Sequence, residues 1–206
     1  MTRRFSLLCI AAVALVLVWG GAASPLAAGP FSAHMIVHVT VMALAAPLIA
    51  IALAGSAWDP TRRWPWLAAP MAAMLAELVV VWGWHLPLLH HAARSSTAAL
   101  AAEQASFLAV GLALWLSVLG GRAAQRHARL AGGVVALLLT SMHMTLLGAL
   151  ITLAPRSLYH HDMGSALADQ QVAGMVMLSG SMSYLAGGLW LVARLLREDR
   201  RRVPLR

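Results

Sequence analysis

The side chains most able to do chemistry are nine histidines, and they are unevenly placed. His34 and His38 stand four residues apart in Phe31-Ser32-Ala33-His34-Met35-Ile36-Val37-His38. That spacing puts both rings on one helical face. Met35 adjoins them and Met42 lies one turn beyond His38. Imidazole nitrogen and thioether sulfur are the ligands a soft or borderline metal prefers. The alternative is structural, with both rings hydrogen-bonded to neighbouring helices. His85 closes another apolar run at Trp82-Gly83-Trp84-His85-Leu86-Pro87, as a candidate ligand at the same depth as His34. His90 and His91 read as a solvated loop. His143 sits mid-run between Met142 and Met144. Helical neighbours diverge by about 100°, so these three cannot hold one ion from one helix. His160 and His161, in Tyr159-His160-His161-Asp162-Met163, would form an exposed capture site.

Acids are scarce, only seven, so each is informative. Glu77 lies inside an apolar run, where an ionisable residue is a functional candidate by default. Glu103, followed by Gln104, is either functional or a helix-start acid favoured by the macrodipole. Asp169 and Gln170 open the last apolar run, where an acid also caps a first turn.

These residues need helices to position them. Six apolar runs approach the roughly 20 residues that cross a bilayer, at about 5–23, 33–54, 66–84, 98–119, 131–153 and 171–196. Helix is the natural conformation, because lipid cannot satisfy exposed backbone groups. The expectation is an all-α, single-domain membrane protein, a polytopic bundle of about six transmembrane helices. Composition agrees: 61% of residues are hydrophobic and 11% charged, with a mean hydropathy of +0.77.

All fifteen basic residues are arginines, giving a net charge of +8. They fall in short loops and at the ends, which marks topology rather than nucleic-acid binding. With the N-terminus cytoplasmic, only Arg94 and Arg156 lie outside, so both termini are expected in the cytoplasm. Seven of the nine histidines then gather at the outer face; His127 alone lies inside. The first run resembles a secretory signal but reads as a retained helix. The single cysteine, Cys9, excludes an internal disulfide and reads as a small apolar residue. No HExxH, P-loop or GxSxG signature occurs, so catalysis is not expected.

His34-Met35-x-x-His38, Pro47, Trp84-His85-Leu86-Pro87, and Tyr159 followed by Asp169-Gln170-Gln171-x-Ala173-Gly174 with Met175 and Met177 resemble the CtaG-like integral-membrane cytochrome c oxidase (caa3-type) assembly factor family. The resemblance covers about residues 31–196. It implies a multi-pass protein of the bacterial plasma membrane that helps place copper in a haem-copper oxidase, whose subunit is the expected partner. The matching positions are His34, His38, His85 and Asp169, with Glu103 and Gln170 nearby. The family usually has about seven spans, one more than counted here. The unrelated single-anchor copper chaperone of the same name uses cysteine ligands, and this chain has no cysteine pair. The expected metal set is therefore His34, His38 and His85, with contributions from Met35, Glu77, Glu103, His143, His160, His161 and Asp169. Three other readings stand beside it: a b-type haem protein, a copper or proton permease through Glu77 and His143, and a metal-free assembly scaffold.

Overall fold

The computed structural model describes residues 2–121, 126–159 and 165–202. Among the described residues all regular structure is helical. The helices are α1 (Thr2–Trp19), α2 (Pro30–Val39), α3 (Ala46–Leu53), α4 (Pro60–Arg63), α5 (Pro70–Trp84), α6 (Pro87–Ser95), α7 (Thr97–Leu119), α8 (Arg126–Leu153) and α9 (Ser165–Arg202). Proline opens α2, α4, α5 and α6. At a first helical position its missing amide costs nothing and its fixed φ is already helical.

Four helical stretches are long and apolar enough to cross a membrane: Pro30–Leu53, Thr97–Leu119, Arg126–Leu153 and Ala166–Glu198. The pair α5 and α6, bent by 73°, makes a fifth if counted as one broken span. The third apolar run becomes regular α-helix only at Pro70, because Pro65–Ala68 forms a tighter 3-10 turn. The first run ends at Trp19, where Gly20 and Gly21 follow.

Alternating chain direction gives the bundle two chemically distinct ends. One carries the starts of α2, α7 and α9 and the ends of α1, α5 and α8; it is the histidine end. The other carries Arg62, Arg63, Arg126, Arg129 and Arg194; it is the arginine end. Helices α8 and α9 form the main antiparallel pair. Gly174 lets them approach closely, since a Cβ there would meet the Thr152 hydroxyl and would lie 2.8 Å from the Gly148 carbonyl oxygen.

Helices α2 and α3 are one rod interrupted by a π-helical turn at Thr40–Ala45. Pro47 explains its bonding. The Ala46 amide bonds the Val41 carbonyl, five residues back. The next amide in that register belongs to Pro47, which has none, so the Met42 carbonyl lacks a backbone donor. The Tyr184 hydroxyl, fully buried on α9, donates to it at 3.3 Å.

At the arginine end, the Asp59 carboxylate ties the loop after α3 to the end of α7. It accepts from the amides of Gly55 at 2.8 Å, Thr61 at 3.0 Å and Gly121 at 3.3 Å, and from the Thr61 hydroxyl. Burial favours its neutral form, but these hydrogen bonds outweigh burial and hold the carboxyl below its usual value of 3.8.

Candidate metal centre

The first turn of α2 is set by α9. Pro30 has no amide, and the Ala33 amide bonds the Gly29 carbonyl at 3.0 Å. The two remaining donors, Phe31 N and Ser32 N, go to Asp169 Oδ2 at 2.8 Å and Oδ1 at 2.9 Å. An anion at a helix N-terminus also meets the positive end of its dipole. Both oxygens of Asp169 thus position α2. Gly29 makes room, because a Cβ there would lie 2.6 Å from the carboxylate carbon. Gln170 anchors the loop that precedes α9: it accepts from Leu158 N at 2.7 Å and donates to the carbonyls of Ile151 and Arg156.

So held, α2 presents His34 and His38 one turn apart to α7, which presents Glu103 and Phe107 one turn apart in the same direction. Two layers result. In the outer layer, His34 Nε2 lies 3.3 Å from Glu103 Oε1. That oxygen has no aligned hydrogen-bond donor, so the close contact does not satisfy it. His90 of α6 completes the layer, its ring edge-on to His34 at 5.3 Å. One ligand atom from each of His34, His90 and Glu103 lies within 4.8 Å of the other two, and all three residues are buried. This is the grouping of three or more potential ligands found among the described residues.

The deeper layer pairs His38 with His85, ring centroids 5.4 Å apart and nearly perpendicular. Phe107 lies edge-on to His38 at 4.2 Å. Neither nitrogen of His38 has a hydrogen-bond partner, although the residue is fully buried. His85 is clamped twice. Its Nδ1 lies 2.6 Å from the Val81 carbonyl, and its own carbonyl accepts from the Tyr159 hydroxyl at 2.9 Å. Tyr159 stays a donor at any working pH, since burial pushes its phenol up to about 12. The same ring packs on Phe31 at 4.5 Å and His90 at 4.7 Å, roofing both layers.

Sequence spacing did not group the residues this way. His34, His38 and His85 were expected as a trio; the structure instead joins His34 to Glu103 and His90, and sets His38 and His85 one turn deeper. His90 corrects the solvated-loop reading. Leu86-Pro87 starts a helix rather than ending structure, and that short helix turns His90 inward, 4% exposed, leaving His91 outside. The signal was there in Pro87 as a helix opener. Tyr159 carried no separate sequence signal as a positioning group.

Other candidates lie elsewhere. Met35 is fully buried in the apolar core. Glu77 is two turns inward of His85 on α5 and lies 2.8 Å from His143 Nε2 of α8, with Thr140 donating at 3.5 Å. Met142 is exposed while Met144 is buried, as the helical period requires. Cys9 is exposed. His160 and His161 lie outside the described residues.

No curated protein and no solved structure matches the chain. One family does, described as cytochrome c oxidase caa3 assembly factor, over residues 2–198. The chain belongs to that family.

Proposed function

We propose that this assembly factor takes up copper at its histidine end, without catalysis, and passes it to a subunit of a haem-copper oxidase. The observation that carries the reading is the convergence of His34, His90 and Glu103 on one buried point. Two imidazoles and a carboxylate form a borderline donor set suited to copper, and the carboxylate offsets part of the ion's charge in a dry site. The orphaned Glu103 Oε1 fits a missing positive partner.

The chain crosses the bacterial plasma membrane six times, with α1 retained and the bent α5–α6 pair counted once. Both termini are cytoplasmic and the histidine end faces outward, where copper is acquired. The arginine distribution supports this orientation.

Two rival readings fit less well. Haem ligation by two histidines needs a porphyrin between the rings, and the His34–His90 and His38–His85 pairs stand in edge contact instead. Permeation needs a polar path, whereas fully buried Phe107, Met42 and Val81 separate the histidine layers from Glu77 and His143. The test is copper content of the purified protein against a His34→Ala/His90→Ala variant. A lower copper content in the variant supports the reading. Equal copper in both would remove the assignment, and copper in neither would leave a metal-free scaffold.

A further inference from the structure

The two histidine layers differ in chemistry, and the deeper one carries the inference. A backbone carbonyl can only accept, so the 2.6 Å contact from Val81 fixes the proton of His85 on Nδ1. Its Nε2 is therefore a bare lone pair, buried and without a donor. Across from it stands His38, fully buried, with both nitrogens unpartnered. Two such groups in one small volume is a costly arrangement, since each buried polar atom has given up its water without gaining a partner. A cation between the rings would remove the cost.

The kind of cation follows from what the layer lacks. Among the described residues no carboxylate bonds to the pair; Glu103 belongs to the layer above and acts on His85 only through space, and its turn-mate at this level is Phe107. Doubling an ion's charge raises its burial cost about fourfold, because the Born energy scales with charge squared. A neutral, dry pair of imidazoles thus discriminates against divalent ions. Zinc also requires about four ligands, and two are on hand. Monovalent copper accepts two nitrogens in a near-linear arrangement and needs no counter-charge there.

We propose that His38 and His85 form a second metal station, selective for Cu(I), one helical turn beneath the outer triad of His34, His90 and Glu103. The assignment rests on the copper-handling reading above and adds to it where the ion moves next. Val81 and Tyr159 act on this station as positioning residues, setting the tautomer and backbone of His85. Phe107 packs its ring against both histidines, edge-on to His38 at 4.2 Å, and keeps the station apolar.

The experiment loads the full-length protein in detergent with Cu(I) under reducing, oxygen-free conditions, then measures bound copper and its X-ray absorption. Wild type is expected to retain about two equivalents, one of them with a two-coordinate nitrogen signature. His38→Asn/His85→Asn should retain roughly one and lose that signature. His34→Ala/His90→Ala should retain the two-coordinate signal. Zn(II) should fill only the outer triad. Thermal unfolding shows which variants are folded, and single Asn variants stand in if the double one is not. Unchanged copper and an unchanged spectrum in a folded His38/His85 variant would overturn the second station and leave the outer site intact. Absence of copper from wild type would overturn both.

Discussion

Asp169 separates a structural role from a ligand role more cleanly than any other residue here. Its carboxylate is the sole acceptor for the amides of Phe31 and Ser32, at 2.8 and 2.9 Å. Asp169→Ala strands two buried donors. At about 1–3 kcal/mol for each, with some recovery by water at the half-buried Gly29, the loss should be about 2–4 kcal/mol. Asp169→Asn keeps one acceptor oxygen and should lose about half as much. For a chain of this size the alanine variant should unfold roughly 5–15 °C lower. The assay is thermal unfolding in detergent, run beside copper content. Asp169→Asn should lower the unfolding temperature yet retain copper at saturating supply, since neither oxygen faces the triad. Gly29→Ala should mimic it, because the added Cβ must displace the carboxylate. A folded Asp169→Asn protein with unaltered unfolding and no copper would refute the reasoning and make Asp169 a ligand.

Three other expectations follow from the same geometry. Glu77→Ala leaves His143 buried without its partner and should cost about 3 kcal/mol in unfolding measurements, with copper content unchanged; loss of copper from the folded variant would break the layered account. Tyr184→Phe removes the donor to the Met42 carbonyl and should cost about 1 kcal/mol, with faster amide exchange confined to residues 40–47; unchanged exchange there would contradict the role given to Pro47. Asp59 predicts an acid limb. Its carboxyl is lowered in the fold, so its contribution is present above its ordinary value of 3.8 and is lost as pH falls through the lowered folded value. Asp59→Asn should be less stable at neutral pH and flatter on acidification; an identical acid limb in the variant would show that the carboxyl contributes nothing.

Local chemistry was readable in the sequence and cross-chain chemistry was not. The His34–His38 pair, the proline-opened helices and the capping potential of Asp169 all depend on residues within a turn of each other, and helical periodicity exposes them. Asp169 illustrates the limit. Its sequence position marks a helix start, but the helix it caps is α2, at the far end of the chain. Glu103 likewise read equally as a functional group or a helix-start acid, and only its approach from α7 to α2 brings it to His34. His90 was hidden because a proline after an apolar run resembles an ending, while here it opens a second, bent helix. The pairing of His38 with His85, and the carbonyl that sets the tautomer of His85, depend on side-chain direction, which spacing alone does not give.

The central claim is that His34, His90 and Glu103 hold copper together. The most direct measurement is X-ray absorption at the copper edge on the loaded protein, compared with a His34→Ala/His90→Ala/Glu103→Gln variant whose fold is verified by thermal unfolding. The account predicts a wild-type shell of imidazole nitrogen and light oxygen, with the oxygen contribution and one equivalent of copper lost in the variant. A sulfur-dominated shell, or the same spectrum and copper content in both proteins, would contradict it.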